Sequence, residues 1–199
     1  MDGRWLSRTF SLRERLSEDT RAVFTLRDLE QMPDDAIHRE LVNGELIELP
    51  PRDIAQAVTS QNIYWSLSPF VESRRLGELF IEAGFKVTVS GRNWIQPDVS
   101  FINRDKLVRE ADSKYLSGAP DLAVEVISPS EQPKHVFAKR KLAFREGCKE
   151  IWIIRPETQT IEIWTPHWRD RELHEGDTLS SVLFDGWSMR VADVFVRFA

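Results

Sequence analysis

The stretch from Gly118 to Ser130, GAPDLAVEVISPS, constrains the fold of this chain most, because it places an acid inside an apolar strand pattern. A short apolar run bounded by glycine, proline and serine is typical of a buried strand. Glu125 interrupts that run, and an unpaired carboxylate taken out of water costs several kcal/mol. The fold must therefore give Glu125 a proton, a cationic partner or a metal ion.

Strand periodicity indicates where a partner for Glu125 lies. Side chains alternate between the two faces of a strand, so Asp121, Ala123 and Glu125 share one face. Asp98, which follows a proline at the start of an earlier predicted strand, shares a face with Ser100 in the same way. If these strands pair, the carboxylates of Asp98 and Glu125 converge and repel each other unless a proton or cation lies between them. Mg²⁺ suits such a site, because one or two carboxylates hold it while waters and a substrate phosphate complete its octahedron.

Helical and strand periodicities alternate along the rest of the chain. The predicted helices are 25–31, 54–75 and 134–147, and Pro69 is expected to kink or split the second of them. The predicted strands are 80–90, 96–103, 121–128, 151–155 and 160–165, and Asn43-Gly44 predicts a hairpin within 39–49. This order predicts an α/β or α+β domain with a mixed sheet between helices.

Composition limits the class of protein. With 199 residues, 41% of them apolar, we expect one domain at 25–199 after an N-terminal extension at 1–24. The single cysteine, Cys148, excludes an internal disulfide and a cysteine zinc cluster, and the absence of any long apolar run argues against a membrane segment. These features predict a soluble cytoplasmic protein. The net charge of -5 means that nucleic acid would have to bind a local basic patch.

Several motifs carry a resemblance to a known family. The order of QPDVSF, GAPDLAVEVISPS, VFAKRKLAF and EGCKEIWII resembles the PD-(D/E)XK restriction-endonuclease-like superfamily. RELVNGELIEL followed by two prolines is similar to its Uma-type branch of endonucleases, formerly a domain of unknown function. The resemblance implies a mixed sheet flanked by helices and a Mg²⁺-dependent endodeoxyribonuclease, with Mn²⁺ as an alternative ion.

The resemblance also implies roles for individual residues. Asp98, Glu125 and the backbone carbonyl of Val126 would hold the metal, and Lys139 would position or activate water. Ile127 occupies the place of the motif lysine, so the family's alternative position on the next helix selects Lys139. A further site carboxylate is expected at Glu40, and the basic run predicts the DNA contacts Lys134, Arg140, Lys141 and Arg145.

Some of these residues also allow a purely structural interpretation. Asp98 is also placed to cap a strand, Lys139 to face solvent, and Asp121 is expected to be structural. The chain departs from many members at Ala55, where they have histidine, and at His135, where they have an acid. His38, His135, His167 and His174 lack metal-ligand spacing and are expected on the surface. The alternative function is a non-catalytic protein-interaction or dimerisation domain, favoured by the acidic charge; DNA is the expected partner of the nuclease, and homodimerisation stays open.

Overall fold

The computed structural model describes residues 23–88, 90–107, 115–166 and 169–196. The helices are α1 (Leu26–Glu30), α2 (Ile54–Ser73), α3 (Arg104–Leu107), α4 (Pro133–Arg145) and α5 (Val191–Val194). The strands are β1 (His38–Val42), β2 (Glu45–Leu49), β3 (Gly77–Ile81), β4 (Phe85–Lys86), β5 (Trp94–Ile95), β6 (Val99–Asn103), β7 (Leu116–Ser117), β8 (Leu122–Val126), β9 (Glu150–Arg155), β10 (Thr160–Trp164), β11 (Arg169–Leu173), β12 (Thr178–Ser180) and β13 (Ser188–Arg190). The predicted extension up to residue 22, and His167, lie outside the described residues.

A six-stranded mixed sheet forms the centre, in the order β11-β10-β9-β8-β6-β3. Only β8 and β9 run parallel in it, and α4 connects them, as a parallel pair requires a crossover. One face packs against α2 through Ile63 and Leu67, and the other packs against α4 through Leu142 and Ala143. The predicted mixed sheet between helices is confirmed.

A second sheet, β2-β1-β5-β4-β7, lies on the α4 side of the first and shares its apolar cluster through Val42, Phe85 and Ile95. The predicted hairpin is confirmed as β1 and β2, with φ of +54° at Asn43 and +82° at Gly44. Two positive φ values are what a type I′ turn requires, which explains the Asn-Gly pair. The hairpin places β1 in contact with α4.

The predicted strand at 80–90 is wrong. β3 ends at Ile81, and the chain then leaves the central sheet and enters the second sheet as β4. Glu82 has a φ of +51°, a left-handed conformation that a continuing strand does not allow. Alternation of apolar residues continues through both short strands, so the periodicity alone did not reveal the break.

Pro69 does not split α2, which runs unbroken for 20 residues. The proline removes one backbone hydrogen bond near the end of the helix, and packing of Leu67 and Val71 into the core holds the last turn. The predicted stop of α4 at Gly147 is confirmed by its φ of +97°. The C-terminal segment, for which no element was predicted, forms α5, and no helix in the described ranges is long and apolar enough to span a membrane.

Candidate active site

Glu125 lies near the end of β8 on the face covered by α4. Its side chain is 13% exposed, and its Oε2 is 2.7 Å from the ammonium of Lys139. Burial raises the pKa of Glu125 to about 7; the nearby Lys139 lowers it and the nearby Glu40 raises it. Strand β8, where the sequence predicts a buried acid, therefore carries a carboxylate with a pKa near neutral.

Lys139 points inward from α4, and its side chain is only 5% exposed. Its Nζ lies 2.7 Å from Glu125 and 2.9 Å from Oε2 of the fully buried Glu40. The other oxygen of Glu40 accepts the backbone N–H of Gln96 at 2.8 Å. Burial alone lowers the pKa of Lys139, but the surrounding carboxylates outweigh it and raise the pKa above its ordinary value. Lys139 is therefore a fixed positive charge between two acids.

Asp98 immediately precedes β6, which pairs antiparallel with β8 through Val99 and Val124, as predicted. Continuing this register by one residue sets Asp98 opposite Glu125 on the same face. The Asp98 carboxylate accepts the backbone N–H of Val126 and forms an ion pair with Arg52. Arg52 also pairs with Glu82 at 3.2 Å. Asp98 thus links the start of β6 to the end of β8, next to Glu125.

A cavity of about 30 Å³, large enough for a water molecule, joins these side chains. Its lining includes Asp98, Glu125 and Lys139, together with His38, Arg52, Gln56, Gln96 and Glu131. The Nε2 of His38 and the Oε1 of Glu131 are buried and have no hydrogen-bond partner among the described residues. Burial raises the pKa of Glu131 and lowers that of His38.

The polar side chains of the cavity suit a hard cation that keeps several waters better than an ion held by protein ligands alone. The described residues contain no group of three or more His, Cys, Asp or Glu side chains arranged to hold a metal ion. Mg²⁺, however, keeps several waters and needs only one or two carboxylates, which Asp98 and Glu125 supply beside the Val126 carbonyl. Glu131 Oε1 and His38 Nε2 are buried and have no hydrogen-bond partner among the described residues, and such waters would satisfy them, so the residues fit this ion.

Asp121, on the same face of the chain as Glu125, is held by contacts within the fold, which is consistent with the structural role expected for it. One of its carboxylate oxygens accepts both the backbone N–H and the side-chain amide of Asn103 at 2.9 Å, and the other lies 2.8 Å from the ammonium of Lys149. Burial raises the pKa of Asp121, but Lys149 and Asn103 outweigh this and lower it below the ordinary value. It lies outside the lining of the Glu125 cavity.

The four predicted DNA contacts do not line this cavity. Lys134, Lys141 and Arg145 are exposed, and Arg145 pairs with Glu146 at 2.9 Å. At 100° per residue, Lys141 lies about 200° around α4 from Lys139, which puts it on the outer face. Arg140 is half-buried, with its guanidinium carbon 3.4 Å from the centroid of a Trp164 ring.

Sequence reasoning missed the other polar residues of the cavity lining, which are His38, Arg52, Gln56, Gln96, Ser128 and Glu131. The prediction that His38 is a surface residue is wrong, because it is half-buried, its Nε2 is fully buried, and it lines the cavity. His135 is also half-buried, and its Nε2 is 3.8 Å from Glu45. His174, with a side chain 64% exposed, is on the surface as predicted. The spacing of His38 and Glu40, two apart on one strand, was the available signal for the missed histidine.

Comparisons with known proteins identify the family of this chain and a protein that shares its fold. The model of the Uma2 family, described as "Putative restriction endonuclease", matches residues 26–192. A crystal structure of "a putative nuclease belonging to DUF820" from Anabaena variabilis ATCC 29413 superimposes with a TM-score of 0.73 at 22% identity. The alignment covers 86% of this chain and 97% of that one, and shows a shared fold. No curated protein matches the sequence.

Proposed function

Because this chain belongs to the Uma2 family of restriction-endonuclease-like proteins, we propose that it is a metal-dependent endonuclease that hydrolyses phosphodiester bonds of DNA. The observation that carries the proposal is the convergence of Asp98, Glu125 and Lys139 on one buried cavity. Two acids from neighbouring strands and a lysine from the following helix suit phosphodiester hydrolysis, which needs a held cation and a fixed positive charge near the phosphate.

Asp98, Glu125 and the Val126 carbonyl would hold Mg²⁺ or Mn²⁺, which, when bound, polarises a phosphate and lowers the pKa of a bound water. Gln56 donates to the Val126 carbonyl at 2.9 Å and so fixes its direction. Lys139 keeps its positive charge because two carboxylates surround it, and it stabilises negative charge that develops on the phosphate. In this scheme Glu40 is a positioning residue, since it contacts Lys139.

The DNA would contact a local surface, because the whole chain carries a net charge of -5. Lys134, Lys141 and Arg145 on the outer face of α4, with Arg140 beside them, are the cations of the helix that also carries Lys139. We expect the logarithm of affinity to fall with the logarithm of salt with a slope of roughly 2 to 4, since each neutralised phosphate contributes about 0.9. Reversing the charges of Lys141 and Arg145 together should flatten that slope and leave metal binding intact.

The proposal is tested by measuring Mn²⁺ binding and plasmid cleavage on the same protein samples. Glu125→Gln and Asp98→Asn should lose metal-dependent cleavage and should no longer reduce the free Mn²⁺ signal in an electron paramagnetic resonance titration. Asp193→Asn is the matched control, because Asp193 pairs with Arg190 at 2.6 Å and lies outside the cavity lining. Cleavage that continues in EDTA, or that survives in Glu125→Gln, would overturn the assignment of the site.

One observation favours the second candidate, a non-catalytic protein-interaction or dimerisation domain that retains the fold. Asp98 and Glu125 already have cationic partners from the chain, in Arg52 and Lys139. Charge balance is therefore achieved without a metal ion. Folded protein that neither binds Mn²⁺ nor cleaves DNA in any divalent ion would favour this candidate.

A further inference from the structure

A groove on the outside of the molecule runs between α4 and the end of β10. It consists of two adjoining pockets of about 470 and 400 Å³, which share Phe137 and Arg140. The second pocket is lined mainly by aromatic and cationic side chains, and no acid lines it among the described residues. The whole chain carries a net charge of -5, whereas this pocket, with Lys141 and Arg145 in its lining, is locally positive.

Neighbouring side chains hold two aromatic residues of this groove in place, the exposed Phe137 and the half-buried Trp164. Phe137 is 56% exposed, and the Arg140 guanidinium carbon lies 5.4 Å from its ring centroid and 3.4 Å from that of Trp164. The indole N–H of Trp164 donates to Glu162 at 2.8 Å, and Arg155 pairs with the other oxygen of Glu162. Glu162 therefore orients the indole while its own charge is neutralised by Arg155.

The groove leads to the catalytic cavity. The first pocket and the cavity share Ser128 and Glu131, which lie in the loop between β8 and α4. A chain-like ligand lying in the groove would therefore pass Ser128 and Glu131 on its way to Glu125. This continuity distinguishes the groove from another surface pocket of similar size, whose lining includes Arg75, Glu78 and Arg104 and shares no residue with the cavity.

We propose that this groove binds an unpaired nucleic-acid strand, with bases stacked on Phe137 and on the Arg140–Trp164 pair and phosphates at Lys141 and Arg145. The inference rests on the proposed nuclease function and adds the substrate class. Unpaired bases expose ring faces that stack on aromatic and guanidinium groups, whereas the bases of a duplex are stacked on one another and leave mainly phosphates at the surface. A surface that binds only phosphates does not require aromatic side chains such as Phe137 and Trp164 in its lining.

The binding test uses the full chain in EDTA, where metal-dependent cleavage does not interfere. Fluorescence anisotropy compares an oligothymidine of about 12 nucleotides, an abasic strand of the same length, and a hairpin duplex of the same total charge. We expect oligothymidine to bind on the order of a hundredfold more tightly than either probe, since the groove offers two stacking positions and stacking contributes on the order of tenfold per base. Equal affinity for oligothymidine and the abasic strand would overturn the proposal, because the bases would then contribute nothing.

Variants locate the effect in the groove. Phe137→Ser and Trp164→Leu should each weaken oligothymidine binding about tenfold and leave binding of the abasic strand unchanged. Trp65→Leu is the matched control, because Trp65 is a 53% exposed tryptophan on α2 that does not line the groove. Phe137→Ser alters a surface side chain, so it tests the proposal even where Trp164→Leu disturbs folding.

Failure of this inference and failure of the nuclease proposal give different results. Metal-dependent cleavage of duplex DNA, together with weak binding that ignores Phe137 and Trp164, would overturn the groove and leave the nuclease standing. Base-dependent binding to a protein that cleaves nothing would support the groove as a single-strand site and overturn the nuclease. Binding of an acidic protein or of a second copy of this chain in place of oligothymidine would overturn the proposed occupant.

Discussion

The two ends of β8 carry buried acids on the same face, and each acid pairs with a lysine. Asp121, just before the strand, is 2.8 Å from Lys149, and Glu125, near its end, is 2.7 Å from Lys139. Their surroundings differ, because Asp121 also accepts two hydrogen bonds from Asn103 while Glu125 faces a cavity. Accordingly the pKa of Asp121 is lowered and that of Glu125 is raised.

This difference separates a structural acid from a candidate catalytic one. Asp121 accepts hydrogen bonds from Asn103 and pairs with Lys149, whose side chain is 56% exposed. These contacts connect the start of β8 to neighbouring segments of the fold. Glu125 shares its lysine with Glu40 and is buried with spare acceptor capacity. A buried acid with an incomplete set of partners indicates a site that binds something further.

The largest expected effect comes from removing the buried lysine. Lys139→Met leaves Glu40 and Glu125 facing each other without a cation, so the free energy of unfolding should fall by about 3–5 kcal/mol at about pH 8. The loss should shrink at about pH 5, because Glu125, whose pKa is raised, is then protonated and no longer repels Glu40. Urea unfolding at both pH values measures the two effects.

Lys149→Met provides the control at the other end of the strand. Lys149 is exposed, and its ion pair is screened by water, so its loss should cost no more than about 1 kcal/mol and change little between the two pH values. Equal losses for the two lysine variants would mean that the two ends of β8 do not differ as the cavity suggests.

Asp121→Asn is the second largest change. The amide cannot accept two hydrogen bonds from Asn103 and also attract Lys149 as a carboxylate does, so the variant should lose about 1–3 kcal/mol at neutral pH. Because the pKa of Asp121 is lowered, its contribution is present above the ordinary pKa and is lost as the pH falls through the folded value. Thermal melts should show the penalty at neutral pH and a smaller one in strong acid, while Mn²⁺ binding stays unchanged.

Sequence reasoning predicted the central part of the site because strand parity is a local rule. The two-residue period put Asp98 on a face with Ser100 and Glu125 on a face with Ala123, and the antiparallel pairing of β6 and β8 sets the two acids opposite each other. Gly147 marked the end of α4 for an equally local reason, its positive φ. Each of these inferences needs only a few neighbouring residues.

The missed residues depend on contacts between distant segments. Arg52 reaches Asp98 from the loop before α2, and Gln56 reaches the Val126 carbonyl across 70 residues of sequence. The break at Glu82, which transfers the chain from one sheet to the other, has no local signal in the alternating pattern. Strand β1 of the second sheet carries His38 to the cavity, a placement that depends on how the two sheets pack.

The pH dependence of metal binding should separate the two acids next. With a pKa of about 7, Glu125 is mostly protonated at about pH 6, so Mn²⁺ affinity should be about tenfold weaker there than at about pH 8. Asp121→Asn should keep the same dependence, because the lowered pKa of Asp121 leaves it ionised at both values. Calorimetry in two buffers of different ionisation enthalpy should detect a released proton near pH 6. Affinity that is the same at both pH values would remove Glu125 from the metal site.

The smallest expected effect is that of Glu125→Gln on the metal-free fold. The folded pKa of Glu125 is raised from an ordinary value of 4.5 to about 7, so the wild type loses stability as the pH rises through this window. Glutamine does not titrate, and its oxygen still accepts from Lys139, so the variant should be as stable as the wild type at about pH 4 and up to about 1 kcal/mol more stable at about pH 8. The weaker attraction of an amide for the Lys139 ammonium keeps the gain small. Urea unfolding in EDTA measures it, with Asp121→Asn as the variant of opposite sign; a clear loss of stability at about pH 8 would instead make Glu125 a structural ion-pair member like Asp121.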